Sequence, residues 1–240
     1  IAKEFDLTVD THGFENYLNE QKERSRAASI VAAGDWIPVW EDVPEEFIGY
    51  DYTDGKIKIT RYREVKEKNK TRFHLVFDFT PFYAEGGGQL ADNGVIKLAN
   101  GAVVKIEDVQ TPVPGLFVHR GTVVSGVVKS GEDVVAEIDL QRRLAISRAH
   151  TATHMVHKAF REALGETATQ AGSENAPGRF RFDFPSTSAV PISVLNDVES
   201  RVNELLISDL QVNSEVMSQD AAKAIGAMAY GTEVIPQVYK

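Results

Sequence analysis

Two short segments of the chain contain residue types that could carry out hydrolysis. The first is a run of three glycines followed by a glutamine: Gly86, Gly87, Gly88 and Gln89. Backbone N–H groups without neighbouring side chains can approach an anion or an ester carbonyl closely, and the glutamine adds an amide at the edge of the turn. In the second segment, His150 and His154 are four residues apart in a helical pattern, so one metal ion can contact both imidazoles. Together the segments predict a hydrolytic site.

The histidine pair alone leaves other interpretations open. A pair spaced in this way often arises by chance, and a histidine on an apolar helix face is usually a packed residue. His157 extends the pair on the same face, yet imidazoles from one helix complete only part of a tetrahedral zinc shell, so further ligands must come from elsewhere. A zincin-type metalloprotein hydrolase would need Glu after the first histidine, where Thr151 stands. The remaining histidines suggest no cluster: His12, His74 and His119.

The glycine run also has a simpler interpretation, as a bulge or tight reversal between strands. Its flanks are more polar than a plain reversal requires, and we predict that Thr80, Glu85 and Asp92 bind substrate. No Gly-Lys-Ser/Thr follows and the segment lies among strand patterns, so a nucleotide triphosphate site is disfavoured.

Basic residues concentrate between positions 56 and 72, interleaved with Tyr62 and Phe73. On a two-stranded ribbon they could contact phosphates, or they could form the solvated outer face of a hairpin. Arg148, near the start of the histidine helix, could extend a basic rim around the site. The basic run comprises Lys56, Lys58, Arg61, Arg63, Lys66, Lys68, Lys70 and Arg72.

Composition limits the function classes. With 240 residues, 42% of them hydrophobic, the chain can bury a core of one large or two small domains. The net charge of −9 argues against indiscriminate binding of nucleic acid. The absence of cysteine excludes a disulfide framework and a thiolate nucleophile. Because no apolar run approaches the length of a membrane span and no signal-peptide pattern opens the chain, we expect a cytoplasmic protein without a membrane partner.

Hydrophobic periodicity predicts three consecutive regions. Residues 13–33 have the pattern of a helix, which we interpret as the end of a preceding domain. Strand patterns follow at 56–65, 71–79, 94–98, 102–109, 116–120 and 133–140, which predict a small closed or nearly closed sheet. Asp54-Gly55 and Asn100-Gly101 are hairpin signals, and residues 112–115 are predicted to form a loop.

The second half is predicted to be α+β. Helical patterns cover residues 143–164, with a turn at Gly165, and residues 190–210, and a strand is predicted between them at 179–184. Ser218 is expected to cap a short helix that runs to Ala224, with Gly226 just beyond it. Residues 233–239 are predicted to be extended.

Four segments resemble a known family. The stretches TPFYAEGGGQLADNG, DVQTPVPGLFVHRG, AISRAHTATHMVHKAF and QAGSENAPGRFRFDFP are similar to the editing region of alanyl-tRNA synthetases and to free-standing alanyl-tRNA editing proteins. The resemblance extends over nearly the whole chain, and motifs of this length and order are highly specific. It implies a β-barrel-like subdomain at 35–140 and an α/β editing subdomain at 141–240, truncated at its C-terminal end. Residues 1–34 would be the end of the preceding helical tRNA-recognition region.

The activity implied by this resemblance is hydrolysis of Ser-tRNA(Ala) and Gly-tRNA(Ala), sparing Ala-tRNA(Ala). The aminoacylation core and its Mg-ATP would lie outside this chain, and DNA would not be a partner. In the family, the pair matched by His150 and His154 binds zinc with a later Cys-Gly-Gly-Thr-His segment. That segment is missing here, so the chain would contain half of a zinc site. A stretch that the family usually has between Ala229 and Tyr230 is also absent, which implies either a shorter protein at this point or, as we favour, a mobile loop that this sequence does not include.

Site roles follow as hypotheses. Gln89 and the glycine backbone would orient the ester and stabilise the oxyanion. Zinc on the histidine pair would activate water or anchor the aminoacyl group, and both roles stay open. Thr80 could bond the serine hydroxyl, which would discriminate against alanine. The acceptor end of tRNA(Ala) would contact Lys56, Lys58, Arg61, Arg63 and Arg148. The alternative is a non-catalytic module that docks the acceptor stem.

Overall fold

The computed structural model describes residues 10–28, 32–41, 43–67, 70–128, 131, 133–165, 168–211, 213–225 and 238–239. In chain order the elements are α1 (Thr11–Ala28), β1 (Ala32–Ala33), β2 (Ile37–Pro38), β3 (Glu46–Phe47), β4 (Asp54–Glu67), β5 (Lys70–Phe77), β6 (Phe79–Thr80), β7 (Gly94–Leu98), β8 (Val103–Val113), β9 (Leu116–Ser125), β10 (Asp133–Ile138), α2 (Leu140–Leu164), β11 (Gly172–Ala176), β12 (Arg179–Asp183), α3 (Ile192–Ile207), β13 (Ser214–Glu215), α4 (Gln219–Ala224) and β14 (Val238–Tyr239).

A closed antiparallel sheet forms the centre of the first half. Its strands pair in the circular order β4, β10, β7, β8, β9 and β5, and β5 pairs with β4 to close the barrel. β4 makes closure possible because it pairs with β10 through its first five residues and with β5 through the rest. A register irregularity between Ile59 and Arg61 separates the two halves of β4, as expected of a bulge that bends a strand.

Alternation along the strands fills the barrel. On β10, Val134, Ala136 and Ile138 point inward and are buried, while the residues between them are exposed. This period of two is the pattern that the sequence shows, and burial of the apolar face is the main favourable contribution to folding. Phe82, from the segment after β6, is fully buried in the same core.

Helix α2 leaves the barrel immediately after β10. Asp139 caps the helix, its carboxylate accepting from Arg142 N at 3.0 Å, and Gly165 ends it with a φ of 84°. α2 packs against α3 and the β11–β12 hairpin. A second apolar cluster fills that interface, including Ala159, Phe160 and Val198. The molecule is therefore α+β, with a barrel-like sheet followed by helices and a small hairpin, as the sequence predicted.

The first helix differs from its prediction. It was predicted to continue to Ala33, but α1 is assigned to Ala28 and Ala32–Ala33 form β1 against Val65 and Lys66. The main chain of β4 provides hydrogen-bond partners that local helix propensity does not take into account. Phe14 and Tyr17 on α1 are 64% and 72% exposed.

One turn prediction was wrong, and two were confirmed, one of them with narrower limits. Asp54-Gly55 lies within β4, opposite Glu137 and Ala136, so it forms no hairpin. The predicted loop at 112–115 is a two-residue turn, because β8 continues to Val113, which pairs with Leu116. Asn100-Gly101 does join β7 to β8, and Gly101 has a φ of 84°.

The second half largely follows the sequence. α2 begins at Leu140, a position predicted to end a strand, because the Asp139 cap starts the helix there. α3 and β12 lie within a few residues of their predicted limits, and Ser218 Oγ accepts from Ala221 N at 3.2 Å, as predicted for the cap of α4.

Other predictions concern residues outside the described ranges: Lys68, Gly226, the junction of Ala229 and Tyr230, and residues 233–237. The domain limits at 34–35 and 140–141 stay predictions. Among the described helices, none has the length and apolarity needed to cross a bilayer.

Candidate active site

The glycine run forms a tight reversal. Gly86 and Gln89 exchange both backbone hydrogen bonds, at 3.1 and 2.9 Å, and enclose the two remaining glycines. Gly87 and Gly88 have φ values of 58° and 78°. Positive φ at both central residues is the requirement of a type I′ turn, which L side chains adopt at a cost. The sequence therefore needs glycine at these two positions for conformational reasons.

The tip of this turn offers backbone donors. The N–H groups of Gly87 and Gly88 bond to no other group in the described ranges. A Cβ added to Gly87 would have no neighbour within 4 Å, so this part of the turn is open. A Cβ on Gly88 would collide with Ser173 Oγ and lie 2.9 Å from Ser173 O. The turn is thus open on one side and closely packed against β11 on the other.

The glycine turn meets the histidine helix directly. Gln89 Oε1 lies 2.9 Å from His150 Nδ1, although the two residues are 61 positions apart. With the amide oxygen of Gln89 towards the ring, this contact is a hydrogen bond when Nδ1 of His150 carries the proton, and Nε2 then keeps a lone pair. Gln89 is 6% exposed, so its amide is held in place. The structure therefore brings together the two segments that the sequence singled out.

The two predicted metal ligands are neighbours on α2. The rings of His150 and His154 are stacked, with centroids 5.2 Å apart and planes inclined by 19°. Desolvation lowers the pKa of His150, and nearby His154 lowers it further. Desolvation also lowers the pKa of His154. Both imidazoles are therefore neutral at pH 7, the form that can ligate a metal or accept a proton.

This donor set fits the nitrogen half of a zinc shell. Neutral imidazoles are ligands that zinc prefers, and the bond from Gln89 fixes the ring of His150 as outer-shell partners of metal ligands do. Within the described ranges, no group of three or more His, Cys, Asp or Glu side chains comes together. The pair thus accounts for two ligands, and any others must come from outside those ranges.

His157 has a different environment. It is 3% exposed and packs on Phe182, with ring centroids 5.1 Å apart. Burial is the main cause that lowers its pKa, followed by the charge of Arg161. A hydrogen bond to the backbone of Ala168 holds His157 beside the apolar cluster that α2 forms with α3 and β12. The third histidine of the pattern is therefore a packing residue.

A strand that sequence reasoning did not connect to the site lies against the glycine turn. Asn175 N donates to Gly88 O at 2.6 Å, and Leu90 N donates to Asn175 O at 3.1 Å. Ser173, two residues earlier on the same face of β11, contacts Gly88. The sequence showed the polar alternation of Ser173 and Asn175, and one of the segments that resemble the family includes both residues, but neither signal identifies a partner.

Asp92 lies beneath the turn, fully buried. Its carboxylate accepts from Tyr83 N at 2.9 Å and forms a bidentate ion pair with Arg143. Arg143 also donates to the carbonyls of Gly49 and Pro81, both at 2.8 Å. The pair ties the base of the glycine loop to the start of α2. Sequence reasoning missed Arg143 as the partner, because its 51-residue separation from Asp92 carries no local pattern.

Thr80 lies inside the barrel rather than at the turn. It is 2% exposed, and its hydroxyl lies 2.7 Å from His119 Nε2. His119 Nδ1 lies 3.2 Å from Leu75 O, so Nδ1 donates there and Nε2 accepts from Thr80. Thr80 Oγ1 in turn accepts from Phe82 N at 3.1 Å. The only proton of the Thr80 hydroxyl is thus already donated, and its predicted contact with a serine hydroxyl stays a prediction.

Glu85 and Arg148 are exposed. Glu85, at the edge of the turn, accepts from Gln110 Nε2 at 2.8 Å. Arg148 precedes His150 by two residues, about 200° around the helix, so it lies on the opposite side of α2. A ligand that contacts both Arg148 and His150 therefore has to extend around α2.

The basic residues of β4 share one face because of the bulge. Ile57 and Ile59 point into the core before the irregularity, and Tyr62 packs on the core after it. The register shift therefore places the four cations of β4 that were predicted to bind tRNA on the outer surface of the barrel: Lys56, Lys58, Arg61 and Arg63. Two tryptophans missed by sequence reasoning join this face: Arg63 lies over Trp36 at 4.6 Å, and Lys58 over Trp40 at 5.3 Å. The outer basic face consists of Lys56, Lys58, Arg61, Arg63, Trp36 and Trp40.

The chain matches known proteins over nearly all of its length. Residues 1–142 match the family model of the tRNA synthetases class II (A). The chain is 50% identical to an alanine–tRNA ligase of Nocardioides sp. over 95% of its own length, and 48% identical to that of Acidothermus cellulolyticus over 98%. It is 42% identical to the enzyme of Bifidobacterium longum over 95% of its length. The chain spans 27%, 28% and 27% of these three relatives, respectively.

Proposed function

Because the chain belongs to the class II (A) tRNA synthetases and, within them, to the alanyl-tRNA synthetases, we propose that it hydrolyses mischarged tRNA(Ala). The substrates are Ser-tRNA(Ala) and Gly-tRNA(Ala), and the setting is the cytoplasm. Water adds to the ester carbonyl, the bond to the ribose oxygen breaks, and that oxygen takes a proton. The amino acid and the free tRNA end are released.

The contact between Gln89 and His150 carries this proposal. It joins an open backbone turn to a neutral imidazole with a spare lone pair on Nε2. Ester hydrolysis needs both kinds of group: donors for the developing oxyanion and a group that accepts a proton from water. A reversal made only to connect strands would need neither.

Each residue of the site has a role in this scheme. The N–H groups of Gly87 and Gly88 donate to the oxyanion, while Gly86 and Gln89 hold the turn closed. Gln89 keeps the His150 proton on Nδ1, so that Nε2 faces the ester. Glu85, exposed at the edge of the turn, accepts from the ammonium group of the aminoacyl moiety. Thr80 and Asp92 support the loop from the barrel side.

Zinc is the metal that this donor set would favour, held by His150 Nε2, by His154 and by ligands from outside the described ranges; the same lone pair would then bind the metal instead of accepting a proton from water. When bound, it supplies Lewis acidity beside the turn.

A deacylation assay tests the proposal. The chain is incubated with Ser-, Gly- and Ala-tRNA(Ala), with and without added zinc, and release of each amino acid is measured. We expect seryl and glycyl esters to be cleaved faster than the alanyl ester, and this activity to be lost in His150→Ala. His12→Ala, which changes an exposed histidine of α1, is the matched control. Equal rates for the three esters, or full activity in His150→Ala, would refute the assignment.

The outer basic face of β4 is our proposed contact for the acceptor end of the tRNA. Four cations on one face offset the net negative charge of the chain locally, and phosphate binding is dominated by such cations. The tryptophans add flat surfaces on which an unpaired base can stack. Arg61 also pairs with Glu45 at 2.6 Å, which holds its guanidinium in place and compensates part of its charge. Arg148 adds a cation on the outer side of α2.

Salt dependence of tRNA binding tests this surface. Removing one phosphate contact with Lys58→Ala is expected to reduce the slope of log K against log salt by about one unit. The matched control is Lys97→Ala on β7, whose lysine pairs with Glu137. Equal slopes in both variants would exclude Lys58 from the contact.

The basic face also motivates the second candidate, a non-catalytic module that docks the acceptor stem. Retained tRNA binding with no ester cleavage under any zinc condition favours docking. A parallel weakening of tRNA binding and of ester cleavage in Lys58→Ala favours the hydrolase.

A further inference from the structure

Asn175 occupies the junction of three segments that contribute to the proposed site. Its backbone N–H donates to Gly88 O and its backbone carbonyl accepts from Leu90 N, so it brackets the peptide units of Gln89. The side chain is fully buried. One residue of β11 thus fixes the segment from which the Gln89 amide extends.

The side chain of Asn175 connects the same point to the histidine helix. Thr153 Oγ1 lies 2.6 Å from Asn175 Oδ1 and 3.0 Å from Ala149 O. Thr153 is 4% exposed and follows His150 by three residues, so the two lie on neighbouring positions of one helical turn. The Asn175–Thr153 bond therefore connects the backbone next to Gln89 with the helical turn from which His150 extends.

The chemistry of the Asn175–Thr153 contact fits an amide. The Thr153 hydroxyl has one proton but lies close to both Asn175 Oδ1 and Ala149 O. Both contacts are hydrogen bonds when the amide nitrogen of Asn175 is turned towards Thr153, because Oγ1 then accepts from the amide and donates to Ala149 O. This orientation also gives a partner to the buried amide nitrogen, which otherwise has none within the described part of the chain. The bond therefore ties β11 to the main chain of α2 one turn from His150.

We propose that Asn175 is a positioning residue that sets the contact between Gln89 Oε1 and His150 Nδ1. The use of this contact in ester hydrolysis rests on the function proposed above, whereas the effect of Asn175 on the position of His150 does not. By joining the glycine turn to α2, Asn175 keeps these atoms at 2.9 Å and holds His150 in the tautomer with Nδ1 protonated. A shift of about 0.7 Å in the backbone of Gln89 or of His150 would lengthen this contact to about 3.6 Å, which is beyond hydrogen-bond range.

The test combines nuclear magnetic resonance, thermal unfolding and kinetics on Asn175→Leu, Thr153→Val and the double variant. We expect the His150 Nδ1–H signal to be lost in all three variants, whereas Tm should fall only in Thr153→Val, which leaves the buried amide of Asn175 without its partner. Hydrolysis of Ser-tRNA(Ala) should lose about 10- to 100-fold in kcat with KM unchanged. The double variant should be no worse than either single one, because both changes break the same bond.

The matched control is Asn100→Ala in the turn between β7 and β8, where Asn100 also makes two hydrogen bonds. It should lower Tm while the His150 signal persists. An unchanged His150 signal in Asn175→Leu and Thr153→Val overturns the proposal, as does activity that merely follows Tm. If Asn175→Leu does not fold, Thr153→Val carries the test alone. If the wild-type chain cleaves no ester, the proposed function fails, but the His150 signal still decides the positioning role.

Discussion

Two histidines of this protein each bond a polar side chain from the segment around the glycine turn, yet their surroundings differ. In the barrel interior, His119 accepts from Thr80 at 2.7 Å and donates to Leu75 O at 3.2 Å. At the junction of the barrel and α2, His150 bonds Gln89 at 2.9 Å through Nδ1. His119 is fully buried with both ring nitrogens engaged, whereas His150 is half-buried beside an open turn.

The comparison shows which property makes a histidine available for chemistry. Burial lowers the pKa of His119 to about 3, so it stays neutral at any ordinary pH, but it has no lone pair to offer. His150 is also neutral at pH 7, and its Nε2 lone pair remains available for a ligand. Residue type and a polar neighbour are common to both sites. The spare nitrogen and the adjacent backbone donors belong only to the second.

Removing the amide partner at the junction should have the largest effect. We expect Gln89→Ala to reduce kcat for Ser-tRNA(Ala) hydrolysis by about 10²- to 10³-fold, because it releases the ring of the proton-accepting His150 and general acid–base catalysis contributes roughly 10²- to 10⁴-fold. Single-turnover deacylation measures this effect. Gln141→Ala, at an exposed position in the first turn of α2, is the control and should retain full activity. Equal activity of the two variants would remove Gln89 from the chemistry.

The three glycines should respond in a graded order. Gly88→Ala combines a left-handed φ with a collision at Ser173, so we expect it to destabilise by more than the roughly 1–2 kcal/mol of the backbone strain alone. Gly87→Ala should show only the strain. Gly86→Ala should be close to neutral, since the nearest atom to its Cβ would be Ala84 O at 3.9 Å. Urea unfolding of the three variants gives the order, and equal losses at Gly86 and Gly88 would contradict it.

Breaking the interior pair should lower stability rather than catalysis. Thr80→Val leaves His119 Nε2 and Phe82 N without their bonds, and buried groups in this state cost about 1–3 kcal/mol. Thr122→Val, whose hydroxyl makes one long bond to Glu107, is the control for the substitution. A lower serine-to-alanine ratio with unchanged stability would instead support direct recognition of serine by Thr80.

The interior histidine should also give stability a pH dependence. The pKa of His119 is about 3 in the folded state, below its ordinary value of 6.5, so between these limits the unfolded chain binds the extra proton. Stability from this group is complete above pH 6.5 and falls with pH, by about 1.4 kcal/mol per unit, until the folded pKa is reached. The free energy of unfolding at pH 7.5, 6.0 and 5.0 measures the slope. His119→Gln should reduce it, and an identical slope in that variant would assign the dependence to other groups.

Much of the fold could be predicted because it is encoded over short distances. Period-two patterns located the barrel strands, helical spacing located α2 and α3, and Gly101 and Gly165 ended their elements as expected. The errors came where a distant strand competed with local preference. Ala32–Ala33 pair with β4, and Asp54-Gly55 pair with β10 although the dipeptide favours a turn.

The site was predictable in its residue types but not in its connections. The sequence singled out the glycine run and the histidine pair, and the structure brings them into contact through Gln89 and His150. The sequence could not indicate the hydrogen-bond partners of Asn175, Arg143 and His119. Each partner is 22 to 51 positions away, and a contact over such a separation produces no periodic pattern in the sequence.

By itself the sequence determined which chemistry is within reach of this chain: three consecutive glycines, imidazoles four residues apart, no thiolate, and cations along one strand. These are properties of residue type and near-neighbour spacing. Only the tertiary structure decided which histidine has a free lone pair, that Thr80 and Asp92 support the loop from below, and that a bulge turns four cations to one face. The physical reason is that burial and hydrogen-bond satisfaction depend on partners from distant segments, which meet only when the barrel closes and α2 packs beside it.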